Sequence, residues 1–196
     1  MEAEYIPIFR KDSPEYSGKC IAKTELNSNP VDCALVHVMV YTDFDRVVLS
    51  RRAKHKFFGG TYLTSAAGHL GLKNSTPEID LSASVLIDVD ERYVETSQEA
   101  GVRELREELD TDNAELVPIG DWIYYQPDYP DYAGGNRWIR AFRTDKSENL
   151  NPNIEEIEII GEFSIEELVE MALEEKSDIH PELRFLVING FFEVID

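Results

Sequence analysis

Two short apolar runs open the chain, Tyr5-Ile6-Pro7-Ile8-Phe9 and Gly18-Lys19-Cys20-Ile21-Ala22-Lys23, with Ser13-Pro14 between them. Runs of this length bounded by turn residues read as strands, and the pair as a small hairpin. A longer run, ALVHVMVY over 34–41, is separated from RVVLSRR over 46–52 by Thr42-Asp43-Phe44-Asp45. Both are rich in Val and Leu, which suit a pleated and partly buried surface, and they predict a second hairpin. TYLTSAAGH (61–69) starts extended and ends in small residues. Further strands are predicted at SVLIDVD (84–90), GDWIYY (120–125), RWIRAFR (137–143) and IEIIGEF (157–163).

At Thr96 the apolar period changes from strand to helix. Val102, Leu105 and Leu109 recur at spacings of three and four, the stripe by which a helix meets a core. Thr96 with Glu99 three residues on is a capping box, so the helix starts there and is expected to end near Leu109, because Asp110 tolerates the left-handed conformation that stops a helix. Ser164 with Glu167 repeats the signature and predicts a helix through about residue 175. His180-Pro181 leads into a third over ELRFLVINGFFEV. Strands interleaved with helices predict an α/β fold with a mixed sheet covered by helices, and 196 residues suit one domain with a real core.

Charge narrows the partners. The formal net charge is −20, from 39 acidic and 19 basic residues, so a nucleic acid polymer or an anionic membrane would be repelled. A small anion could bind where a cation handles the charge locally. The start, MEAEYIPIF, has no basic and apolar leader pattern, and no apolar run reaches the length of a membrane span. Cytoplasmic localisation is the expectation, and a homodimer stays open. Cys20 and Cys33 lack a CxxC spacing, which argues against a disulfide framework and a zinc site.

Against that background RELREELD (103–110) raises a question. Glu104, Glu107 and Glu108 fall within one turn, where like charges cost a few tenths of a kcal/mol per pair. The face is either merely solvated or built to hold a cation. Eight residues before Arg103 stands Glu95, and Gly68 lies upstream in SAAGHL. The segment resembles the Nudix box, G-x5-E-x7-R-E-U-x-E-E-x-G-U with U aliphatic. Glu95, Arg103, Glu104, Leu105, Glu107 and Glu108 match in register. The departures are 26 residues between Gly68 and Glu95 where the motif has five, Asp110 for its second glycine and Thr111 for its last aliphatic. The flanks, VLSRRAKHKFFGGTYLTSAAGHL and IPIFRKDSPEYSGKCIAKTEL, resemble the branch related to isopentenyl diphosphate isomerase.

The resemblance implies an α/β/α sandwich with a mixed β-sheet, spanning 1–196 as a single domain with an N-terminal hairpin region (1–33) and an insertion (69–94). It implies hydrolysis of a small-molecule diphosphate by water, assisted by Mg2+ or Mn2+, hard cations that favour oxygen donors. Glu104, Glu107 and Glu108 would be ligands together with the backbone carbonyl of Ala67; Arg103 would orient Glu104; Gly68 and Glu95 would support the loop. Glu155, with Glu156 beside it, lies where the family often places a catalytic base. Arg51, Arg52, Lys54 and Lys56, from a basic run without an acid, would receive the diphosphate unless that run is only a solvated turn, and His69 would touch phosphate. His37, among apolar strand residues, reads as a packed histidine. Trp122 and Trp138 are expected in the core, while Tyr129 and Tyr132 either stack on a ligand or do not. The insertion is expected to project from the domain. The isomerase chemistry needs a cysteine where this chain has Thr64-Ser65-Ala66-Ala67-Gly68-His69, and a non-catalytic module would be expected to lose the glutamates.

Overall fold

The computed structural model describes residues 4–43, 45–74, 85–112, 114–127, 135–145, 150–174 and 178–192. Strands β1 (Tyr5–Phe9), β2 (Tyr16–Ala22), β3 (Cys33–Asp43), β4 (Arg46–Arg52), β5 (Tyr62–Leu63), β6 (Ala66–His69) and β7 (Leu86–Asp88) precede helix α1 (Ser97–Leu109). Then come β8 (Val117–Tyr125), β9 (Arg137–Asp145), β10 (Ile157–Ser164), α2 (Ile165–Leu173) and α3 (Pro181–Ile188). The α/β class is the one predicted. Two compact units divide the described residues: one lies within Met1–Val36, His69–Ala100 and Trp122–Arg140, the other within His37–Gly68, Gly101–Asp121 and Ala141–Asp196.

In the first unit β1 and β2 form the expected antiparallel hairpin, with Ile6 opposite Ile21 and Pro7 opposite Cys20. Alternate residues point to opposite faces of a strand, and here both faces are covered. Tyr5 and Cys20 pack with Ile87 and Val89, while Ile6 and Ile21 pack with Leu26 and Cys33. The partners of the first face come from the insertion. Its strand β7 pairs with β2 through Cys20↔Ile87 and Ile21↔Leu86, so the insertion does not simply project: residues 86–89 complete the core of this unit. Its residues 75–84 lie outside the described residues, as do Tyr129 and Tyr132. Trp122 and Trp138 are half-buried, not core. Each sits on a strand next to other aromatics, Trp122 against Phe9 and Trp138 against Tyr124. The indole N–H of Trp138 donates to the Arg10 carbonyl, so the polar tip is satisfied without the ring leaving the surface.

In the second unit β4 is flanked on both edges. It pairs antiparallel with β3 (Val40↔Val48) and with β10 along seven residue pairs from Ile157↔Arg52 to Ser164↔Arg46. Past the end of the β3 pairing, β5 takes over through Ser50↔Leu63 and Arg51↔Tyr62. Residues 37–41, the part of β3 that lies in this unit, are all buried, the mark of a strand covered on both faces. Helix α2 starts at the predicted capping box, with Ser164 N–H donating to the Glu167 carboxylate and Glu167 N–H to Ser164 Oγ. It buries Ile165, Leu168 and Ala172. Helix α3 is shorter than expected. It stops at Asn189, and Gly190 at φ 77° carries the chain out, a C-terminal glycine signal that overrides the apolar run beyond it.

Candidate functional site

Helix α1 begins as the sequence predicts. Thr96 N–H donates to Glu99 Oε2 at 2.8 Å and Glu99 N–H to Thr96 Oγ1 at 3.2 Å. Those bonds and Lys73 hold the Glu99 carboxyl below its ordinary value. Leu105 and Leu109 are fully buried, each contributing about 1.5–3 kcal/mol. Val102 is only half-buried; the inward place is taken by Gly101, where a Cβ would stand 2.7 Å from Leu116 Cδ1. Asp110 ends the helix at φ 53°.

With its leucines inward, α1 brings its glutamates against residues 66–68. Gly68 carries no side chain because none fits: a Cβ there would run into the carboxylate of Glu104. That carboxylate is buried. Arg103 Nη1 donates to Glu104 Oε1 at 2.6 Å and to Glu107 Oε2 at 3.1 Å, so one guanidinium holds two of the three acids. Glu107 is otherwise exposed. Glu108 accepts the backbone N–H of Ala67 at 3.2 Å. Burial first, then the charge of Glu104, pushes the Glu108 carboxyl up to about 8; the Ala67 N–H and Arg52 act the other way, and Glu156 adds to the rise.

The end of α1 is finished by a segment far away in sequence. Asn151 N–H donates to the Leu109 carbonyl and Asn153 N–H to that of Glu108, while Asn153 Nδ2 reaches the Glu107 carbonyl. These are carbonyls that a helix leaves without partners. Asn-Pro-Asn therefore acts as a C-terminal cap supplied in trans along the chain, and it delivers Glu156 close enough to act on Glu108. Glu155 is exposed, its N–H turned back to Asn153 Oδ1. Neither asparagine was picked out from the sequence; a Pro-locked Asn pair after a strand is the signal that was there.

The basic residues are each engaged locally. Arg51 Nε donates to the Gly60 carbonyl and Arg52 Nε to that of Phe57, which closes the 53–60 turn. Lys54 pairs with Glu158 and Lys56 with Glu156. Arg52 and Lys56 are the two linked to the acidic patch, one through its effect on Glu108 and the other through Glu156. Glu95 and His69 belong to the first unit. Glu95 accepts the Gly71 N–H at 2.8 Å and returns its own N–H to the Gly71 carbonyl at 3.0 Å, a two-way brace between loop and helix start. His37 is fully buried, as expected.

Chemically, the patch offers oxygen donors, of which Glu108 is made hard to ionise first by burial and then by the charge of Glu104, and a hard divalent cation would relieve that. Among the described residues, no three His, Cys, Asp or Glu side chains already converge as a ligand set; Arg103 bridges Glu104 and Glu107, and the Ala67 N–H occupies an oxygen of Glu108. No helix of the described residues is long and apolar enough to cross a membrane.

No protein-family model and no curated protein matches the sequence. Solved structures do match in three dimensions. DR0079 of Deinococcus radiodurans aligns over 95% of this chain and 98% of its own at 16% identity, with a TM-score of 0.67. The MutT protein of Methanosarcina mazei Go1 aligns over 82% of this chain and 94% of its own at 13% identity, with a TM-score of 0.52. A hydrolase of the Nudix family from Clostridium perfringens covers 81% of this chain and 95% of its own at 18% identity, but its TM-score of 0.46 is too low to bear on the fold. The α/β fold assembled above is thus one that this chain shares with DR0079 and the MutT protein.

Proposed function

We propose that the chain is a Nudix-type hydrolase that cleaves a diphosphate linkage in a small molecule by attack of water. The observation that carries this reading is the meeting of Gly68 with the Glu104 carboxylate. It joins the acidic face of α1 to strand β6, and gives the glutamates a purpose that a solvated face would not require. Glu104, Glu107 and Glu108, with the Ala67 carbonyl, would hold Mg2+ or Mn2+. Such an ion, when bound, lowers the pKa of water and neutralises charge on the leaving phosphate.

The chain's own side chains do the rest. Arg103 orients Glu104 and Glu107 through charge-assisted hydrogen bonds. Glu156, whose charge acts on Glu108, is better situated than Glu155 to take the proton of the attacking water. Arg52 and Lys56 are the cations that would meet the diphosphate. Isomerase chemistry is disfavoured: Cys20 and Cys33 are both buried in the first unit and neither lies in 64–69.

A panel of nucleotide sugars, dinucleotides, damaged nucleotides and isoprenoid diphosphates, incubated with Mg2+ or Mn2+ and scored for phosphate-containing products, tests the reading. Turnover of at least one, abolished by EDTA and by Glu104→Gln, is expected. Turnover that survives both would overturn it.

A further inference from the structure

Behind the loop lies a buried polar chain that the proposed chemistry does not use. His37 has 0% exposure, between Val36 and Val38 in β3. Its Nδ1 is 2.9 Å from Thr64 Oγ1. The Thr64 hydroxyl has one proton, and it is donated to the Ala66 carbonyl at 3.2 Å. Oγ1 therefore accepts from His37 Nδ1–H, while His37 Nε2 stands 3.4 Å from Oε2 of the buried Glu182, close enough to pair if the ring is protonated but without a hydrogen bond. Glu182 is fixed in turn. It lies in the first turn of α3, where the helix dipole favours a carboxylate, and its N–H donates to His180 Nδ1 at 3.2 Å. The backbone N–H of His180 donates to the Tyr62 carbonyl and that of Tyr62 to the Asp178 carbonyl, both at 2.7 Å, which stitches α3 to β5.

The chain ends at the loop. Thr64 O accepts from Ser50 Oγ, and Ser65 Oγ accepts from Val40 N–H and donates to Val48 O. Residues 64, 65 and 66 are thus each tied through a side-chain hydroxyl, immediately before Ala67 and Gly68 meet Glu108 and Glu104. An imidazole and a carboxylate in this interior cost desolvation that apolar residues would avoid. The hydrogen bonds of Thr64, Ser65 and Ser50 offset part of that cost and hold residues 64–66 in one geometry.

We propose that His37 and Glu182 are positioning residues that act through Thr64 to set the place of Ala66–Gly68 against the α1 glutamates. This rests on the metal-binding role proposed above for Ala67 and those glutamates. Partners that orient ligands without touching the ion typically change metal affinity by 10–100-fold when lost.

The test compares the full chain with Thr64→Val, which keeps the shape and removes the hydroxyl, and with Thr64→Ser, which keeps the hydroxyl. Mn2+ affinity is measured by electron paramagnetic resonance, and the amide resonances of Ala67 and Gly68 by NMR without metal. Thr64→Val should weaken Mn2+ binding roughly tenfold and move both resonances, and Thr64→Ser should restore both. Unchanged affinity and resonances in Thr64→Val, or equal losses in the two variants, would overturn the inference. Should Thr64→Val not fold, Glu182→Gln is read on the same two quantities, with no change again overturning it. A wild type that binds no Mn2+ overturns the proposed function, and this inference with it.

Discussion

Gly68 and the carboxylate of Glu104 occupy adjoining space so closely that a Cβ at position 68 would force the carboxylate to move. Glu104 cannot simply swing away, because it is buried and held by Arg103. Gly68→Ala should therefore overpack the site, costing about 1–3 kcal/mol, and should reduce kcat because the glutamate patch is displaced. Adding Glu104→Ala should recover the stability and none of the activity. Denaturant melts and initial rates on the three proteins check this; additive stability losses in the double variant would show that the two residues do not meet.

The insertion has a structural duty. Ile87 is 8% exposed and packs with Cys20 and Tyr5 across the β2–β7 pairing. Ile87→Ala should destabilise the protein by about 2–5 kcal/mol, as for other buried aliphatic truncations. Excision of residues 86–89 should leave the first unit unfolded by amide exchange. A melting curve like that of the wild type for either variant would contradict the assignment.

How far the sequence foretold this depends on the range of the interactions. The β1–β2 and β3–β4 hairpins, both capping boxes and the left-handed Asp110 are decided by neighbours a few residues apart, and each was legible. The acidic patch was legible because the box spacing is local to α1. Asn153 was not, since its partner carbonyls lie more than forty residues away and only the fold joins them. Nor was the burial of Ile87, which depends on a distant strand with no periodic signature of its own. The tryptophans misled because apolar character alone does not tell a half-covered sheet face from a core. The end of α3 is written in Asn189-Gly190, a local stop signal that outweighs the apolar run after it.

The cysteines should be dispensable for the chemistry. Burial pushes the Cys20 thiol up to about 11, with the Tyr16 hydrogen bond pulling the other way, so it stays a thiol at neutral pH and is a poor nucleophile. Replacing Cys20 and Cys33 with Ala should leave kcat nearly intact in the folded protein, and the native wild type should resist thiol reagents. A loss of about a hundredfold in kcat without unfolding would mean that a thiol does chemistry.

Glu108 supplies the sharpest separation of a metal patch from a solvated face. Its carboxyl is raised to about 8 in the folded protein, by burial and then by Glu104. In the metal-free protein the folded state therefore holds a proton that the unfolded state releases near the ordinary carboxyl range. Stability from this group is fully present below that range and is lost as pH rises toward about 8. Glu108→Gln cannot ionise, so the variant should lose less stability than the wild type across that window when divalent metal is removed with EDTA. Magnesium should reverse the order. A ligand that binds only the native state raises its Tm, and the wild type should gain more than Glu108→Gln. The variant should also lose kcat by orders of magnitude, because water activation and leaving-group neutralisation both depend on the ion. Thermal melts across pH, with EDTA and with Mg2+, read all of this except the rate. Equal magnesium stabilisation of both proteins, with activity retained, would remove Glu108 from the ligand set.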